Sequence, residues 1–163
     1  MPKVILIVGN VGSGKSTLAA QLSKQEGAHI FCVDSWMKNL FLMDMPNPPS
    51  YLWALERTER IEVQMLEETL KLLNQGISII LDIGFFSKKQ RDQVKSFLLR
   101  HGHSPQIYYL DVDIDTRWQR VRERNLGSIE TFKFEVTKET FDFCETIFEP
   151  LDSDELKQAT LVY

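Results

Sequence analysis

The segment Gly9-Asn10-Val11-Gly12-Ser13-Gly14-Lys15-Ser16 satisfies the pattern G-x-x-x-x-G-K-[ST]. It follows the apolar run Val4 to Val8 and precedes a segment of helical period carrying Leu18, Ala19 and Leu22. Strand, tight loop and helix in that order are the setting in which the pattern binds phosphate; a glycine-rich turn that binds nothing is the bland alternative. Gly9, Gly12 and Gly14 permit a loop whose backbone N–H groups converge on phosphate oxygens, because no Cβ obstructs positive φ. A helix starting at Lys15 adds the positive end of its dipole. Lys15 would then bridge β- and γ-phosphate oxygens as a point charge, and the Ser16 hydroxyl would be one ligand of a hydrated Mg²⁺. The expected nucleotide-binding set is Gly9, Asn10, Val11, Gly12, Ser13, Gly14, Lys15, Ser16 and Thr17.

Two aspartates stand at the ends of later apolar runs, where the ligand crevice of an open parallel sheet lies. Asp34 follows Ile30 to Val33, and Asp82 follows Ile77 to Leu81. One could orient and deprotonate an acceptor hydroxyl while the other holds Mg²⁺ through its water shell. For Asp34 the alternative is a plain helix N-cap. Further on, Arg117, Arg120 and Arg124 fall within an arc of about 60° on a helix, with Arg122 pointing away. Three guanidinium groups on one face repel one another unless an anion sits between them, so they suit a phosphoryl group in transfer. A solvated basic face is the alternative. Lys88, Lys89 and Arg91 form a second basic group that could meet an anionic acceptor.

Such residues need a frame, and the chain's pattern supplies one. Short runs rich in Ile, Val, Leu or Tyr alternate with longer segments of helical period, the order of an α/β domain around a mostly parallel sheet. Five strands are predicted: Lys3 to Val8, His29 to Val33, Ile77 to Leu81, Gln106 to Val112 and Ala159 to Val162. Val63, Leu66, Leu70 and Leu73 mark one helix face, and Val94, Phe97, Leu98 and His101 another. Gly76 and Gly102 follow as helix stops. Met43 to Ser50 carries three prolines and reads as a loop. Between Glu130 and Lys157 nine acids outnumber three bases, as on a solvated helical face. His29, His101 and His103 are assigned no role.

The 163 residues, 43% hydrophobic and 26% charged, are expected to form a single domain over 1–163. No apolar run is long enough for a membrane span, and no secretory signal is read at Met1. The net charge of −4 opposes a general nucleic-acid surface or attraction to anionic lipid. Cys32 and Cys144 form neither a Cys-x-x-Cys pair nor a metal cluster, so both are expected as small buried hydrophobes in a reducing cytoplasm.

The set Gly9 to Thr17, Asp34, Asp82 in Ile-Leu-Asp, Arg91, and Arg120 with Arg124 in R-x-x-x-R-N resembles the small P-loop kinases of the nucleoside-monophosphate-kinase-like group. It is most similar to their "predicted kinase" branch, which is related to chloramphenicol phosphotransferase, zeta toxins and the kinase domain of polynucleotide kinases. The likeness runs over nearly the whole chain, including Thr137 to Glu155. It implies a three-layer fold with a parallel sheet in the order 2-3-1-4-5, ATP and Mg²⁺ as cofactors, and transfer to a hydroxyl of a small-molecule acceptor. Lys15 and Ser16 would handle the ATP phosphates and Mg²⁺, Asp34 would be the catalytic base, and Asp82 would lie beside the metal and acceptor. Arg120 would pack by adenine or phosphates, Arg124 would contact phosphate, Arg91 would meet the acceptor, and Asn125 to Val136 would be a mobile lid. Many relatives read Asp-x-x-Arg after the second strand, but here the fourth position is Met37 and the cation is Lys38, about 100° round the helix. Trp36, Met37, Phe41 and Trp53 could line an apolar pocket there instead, or pack in the core.

Other classes fit less well. The Asn-Lys-x-Asp reader of guanine switches and a Leu-Ser-Gly-Gly signature are both missing from the sequence. An ATP-binding switch, a nucleic-acid end kinase and a kinase of nucleotide sugars are the remaining alternatives. The chain is expected to be either a monomer or a homodimer.

Overall fold

The computed structural model describes residues 1–127 and 135–163. Five strands, β1 (Val4–Val8), β2 (His29–Cys32), β3 (Ile79–Asp82), β4 (Gln106–Leu110) and β5 (Ala159–Val162), form one parallel sheet in the order β2-β3-β1-β4-β5. The expected order 2-3-1-4-5 is therefore the observed one. Helices α1 (Lys15–Glu26), α2 (Val33–Phe41), α3 (Tyr51–Asn74), α4 (Lys88–Arg100), α5 (Ile114–Leu126), α6 (Lys138–Ile147) and α7 (Ser153–Gln158) complete the described fold.

β1 is central and buried at every residue. Its side chains alternate between two cores, which is why it reads as an unbroken apolar run. Val4, Leu6 and Val8 join Ile61, Met65, Val94 and Leu98 of α3 and α4 on one face. Ile5 and Ile7 join Ala19 and Leu22 of α1 on the other. The parallel register sets Cys32 opposite Asp82, so the ends of β2 and β3 are level.

Some boundaries and faces differ from the sequence reading. β2 stops at Cys32 because Val33 already begins α2, which makes Asp34 the second residue of a helix and not its N-cap. On α3 the buried row is Ile61, Met65, Thr69 and Leu73, whereas Val63 is 59% exposed. Thr69 enters the core because its hydroxyl donates to the Met65 carbonyl at 2.7 Å, so an apolar count passes it over. Val94 and Leu98 of α4 are buried, with Phe97 packed beside them. Gly76 and Gly102 take φ of 83° and 81°, the left-handed stop expected after α3 and α4.

Arg91 is the main correction. Expected at an acceptor, it is 2% exposed in the fold, and all five of its N–H groups have internal acceptors. Nε and Nη2 donate to the Glu155 carboxylate at 2.7 and 2.9 Å. Nη1 donates to the Phe85 and Glu149 carbonyls, and Nη2 also to that of Pro150. Nothing is left for a ligand, so Arg91 fastens α4 to the chain around α7. Lys88 is likewise engaged, with Asp92 at 3.0 Å and Asp152 at 3.4 Å. The acidic C-terminal third is thus not simply a solvated face, since Glu155 points inward to Arg91.

Burial pushes the Glu155 carboxyl up, but the Arg91 guanidinium and the Asp152 backbone N–H outweigh it and hold it below the ordinary 4.5. A carboxylate depressed in the folded state adds stability above its unfolded pKa and loses it as pH falls through the folded value. Arg91→Met leaves that carboxylate buried and unpaired. It is expected to cost about 3 to 5 kcal/mol in urea unfolding at neutral pH. The sign of the pH dependence should also reverse: the variant should regain stability on acidification, as Glu155 becomes neutral. A variant as stable as the parent at pH 7, or one that only weakens toward acid, contradicts this role.

Candidate active site

The glycine-rich loop joins β1 to α1 and closes tightly. Gly12 has φ of 80°, and a Cβ there would sit 2.5 Å from the Arg117 carbonyl oxygen. Gly14, at φ 99°, caps α1 without a side-chain hydrogen bond. The first helical bond is Leu18 N–H to the Gly14 carbonyl at 3.0 Å, so the N–H groups before it lack intrahelical acceptors. An uncapped first turn of this kind is built for an anion. Lys15 joins the same turn, its ammonium resting on the Asn10 carbonyl at 3.3 Å.

The level ends of β2 and β3 bring oxygen ligands beside this loop. Ser16 Oγ donates to Asp82 Oδ2 at 3.0 Å, and the Cys32 thiol lies 3.6 Å from the same oxygen. A hydroxyl and a carboxylate side by side suit a hard divalent cation that keeps several waters and binds phosphate. Among the described residues, no three His, Cys, Asp or Glu side chains gather into a cage, so such an ion would need ligand oxygens as well.

α5 supplies the cations. Arg120 Nη1 donates to the Ser13 carbonyl at 3.1 Å, and Arg120 and Arg124 line a cavity of about 300 Å³ with Gly12, Gly14, Lys15, Ser16, Thr17 and Val121. Burial lowers the Arg124 pKa and the Asp34 charge opposes it, which places the two within electrostatic reach. Nε of Arg124 is buried without a hydrogen-bond partner among the described residues. Asp34 itself is exposed in the first turn of α2, where the helix dipole favours an anion.

The structure therefore brings Lys15, Ser16, Arg120 and Arg124 around one cavity, with Asp82 bonded to Ser16 and Asp34 within electrostatic reach of Arg124. It does not bring Arg117 into it as a ligand group. Both Arg117 Nη atoms bind the Glu145 carboxylate of α6 at 2.6 and 2.8 Å, Nε binds the Val112 carbonyl, and Nη1 also binds that of Val11. The anion that relieves the arginine face is Glu145, a protein side chain. Lys38 is exposed on α2, one turn after Asp34. Trp36, Met37 and Phe41 pack against the core, and Trp53 lies under the Arg57 guanidinium at 4.0 Å. Trp36 also edges a second cavity of about 290 Å³ with Ser16, Cys32, Ser35 and Asp82. Of the expected lid, Asn125 pins Val136 through both its carbonyl (2.8 Å) and its N–H (3.4 Å); residues 128–134 lie outside the described residues.

Glu145 and Cys144 were not foreseen as site neighbours. Burial pushes the Cys144 thiol up to about 11, with the Glu145 and Asp34 charges adding to the rise and those of Lys15 and Arg117 opposing it. Cys144 is a protonated, inert thiol at neutral pH. Neither cysteine forms a disulfide. No helix among the described residues is long and apolar enough to cross a membrane.

Comparison with known proteins bears on the fold. A sugar kinase from Janibacter sp. HTCC2649 superposes with a TM-score of 0.66 at 15% identity, over 99% of this chain and 85% of its own. Kti12 from Chaetomium thermophilum, in complex with ADP-AlF3, gives 0.72 at 14% identity, over 98% and 88%. A gluconokinase from Sinorhizobium meliloti 1021 gives 0.61 at 14%, over 99% and 82%. At these identities the likeness is one of fold. Among curated proteins none matches the chain. The profile of AAA_33, described as an AAA domain, matches residues 4–151. The chain belongs to that AAA domain family and has the fold of a small P-loop kinase.

Proposed function

We propose that this chain is an ATP-dependent phosphotransferase that moves the γ-phosphoryl group of ATP to a hydroxyl of a small-molecule acceptor. One observation carries the reading: a loop fit for phosphate shares a cavity with two further arginines, and Asp34, in the first turn of the helix after β2, lies within electrostatic reach of one of them. Fold neighbours that include a sugar kinase and a gluconokinase support it.

The N–H groups of the uncapped first turn and the Lys15 ammonium hold the phosphate chain. Ser16 and Asp82 would hold Mg²⁺, which when bound would neutralise phosphate charge. Arg120 and Arg124 meet the charge that spreads over the phosphoryl oxygens during transfer. Asp34 orients the acceptor hydroxyl and takes its proton as the new P–O bond forms and the bond from the γ-phosphorus to the bridging oxygen breaks, releasing ADP. Catalysis is then chiefly positioning and charge stabilisation.

Mg²⁺-dependent ATP consumption with a pooled set of hydroxyl-bearing metabolites and antibiotics tests this. Acceptor-stimulated turnover is expected, falling about 10²- to 10³-fold in Lys15→Ala. Asp34→Asn should bind ATP normally yet lose about 10²- to 10⁴-fold in acceptor phosphorylation. Turnover undiminished in Asp34→Asn removes it as the base. Tight ATP binding that no acceptor stimulates would favour a nucleotide-operated switch. Asp82→Asn should raise the Mg²⁺ concentration needed for half-maximal rate; an unchanged requirement would separate Asp82 from the metal.

A further inference from the structure

The first half of the loop is held from behind by α6, a helix that contributes no group to the crevice described above. Glu145 Oε1 accepts from Asn10 Nδ2 at 2.5 Å and from Arg117 Nη1 at 2.6 Å, while Oε2 accepts from Arg117 Nη2 at 2.8 Å. Asn10 Oδ1 in turn accepts the Val11 N–H at 2.7 Å, and Arg117 Nη1 donates to the Val11 carbonyl at 3.2 Å. Both peptide groups of Val11 are thus fixed through one carboxylate. The Asn10 carbonyl, on the same residue, receives Lys15 Nζ and the Ser13 N–H. Arg117 is buried, and its own carbonyl is the atom that Gly12 passes too closely to allow a Cβ.

Resting on the nucleotide-binding reading above, we propose that Glu145 is a positioning residue that sets the affinity for the polyphosphate of ATP. It orders Asn10 to Gly12 before the ligand arrives. Its action runs through Asn10 and Arg117. Preorganisation of this kind removes an ordering cost from binding.

Electrostatics makes the sign of the effect diagnostic. Glu145 is an anion close to a site for anions, so as a bare charge it would oppose ATP, and Glu145→Gln would tighten binding. As a positioning residue it does the reverse. A glutamine offers one acceptor oxygen and turns its amide hydrogens on the donors of Arg117 or Asn10, which leaves buried donors unpaired.

Titration calorimetry with Mg²⁺ and a non-hydrolysable ATP analogue, well below the unfolding temperature, reads this directly. Glu145→Gln is expected to raise Kd about tenfold or more. Glu155→Gln, in the remote Arg91 pair, is the stability control: it should lower the unfolding midpoint and leave Kd unchanged. Asn10→Ala keeps the Arg117 pair and cuts the link to the loop, so it should loosen binding even if Glu145→Gln fails to fold. A wild-type protein that binds no analogue would overturn the nucleotide reading itself. Wild-type binding with an unchanged or tighter Kd in Glu145→Gln, or in Asn10→Ala if the former does not fold, would overturn only the role of Glu145. Equal loosening by Glu155→Gln would reduce the effect to general stability and overturn it as well.

Discussion

α1 begins on a left-handed glycine that brings no side chain to cap it. The N–H groups of its first turn are therefore owed an acceptor, and in a folded protein such groups find one in water, a side chain or a ligand. The rest of the site follows from where that turn is held. β1, buried on both faces between two cores, delivers the loop to the carboxyl edge of the sheet as a rigid element. The same edge carries Asp82 and, in the first turn of a helix, Asp34.

Charge around the loop is balanced in two layers. Toward the crevice, Lys15, Arg120 and Arg124 outnumber Asp34 and Asp82, leaving a positive surplus for an anionic ligand. Behind the loop, Arg117 is engaged by Glu145 and by carbonyl oxygens. Two arginines of α5 separated by one turn thus have opposite tasks. Arg120 faces the crevice, whereas Arg117 braces the loop, held there by the Glu145 carboxylate of another helix.

What could be read from the sequence was what is local or periodic. The glycine loop, the five strands and the two aspartates follow from patterns a few residues long, and the strand order follows from resemblance to a known group. Arg91 and the two inward acids could not be read that way. Glu155 lies 64 residues from Arg91, and Glu145 lies 28 from Arg117. Ion pairs across such distances leave no mark on periodicity, so an arginine near a strand end looked like a ligand group and an acidic segment looked like a solvated face. Thr69 was missed for a related reason: a hydroxyl satisfied within its own helix is as good a core residue as valine, yet counts as polar.

The central claim is that the uncapped first turn of α1 receives phosphate. Backbone amide shifts followed by nuclear magnetic resonance during titration with Mg²⁺ and ADP test it most directly. The account predicts large shifts at the amides of Gly14, Lys15 and Ser16, abolished in Lys15→Ala, with the amides of α4 unmoved. Nucleotide shifts that gather elsewhere, or none at millimolar ligand, would contradict it.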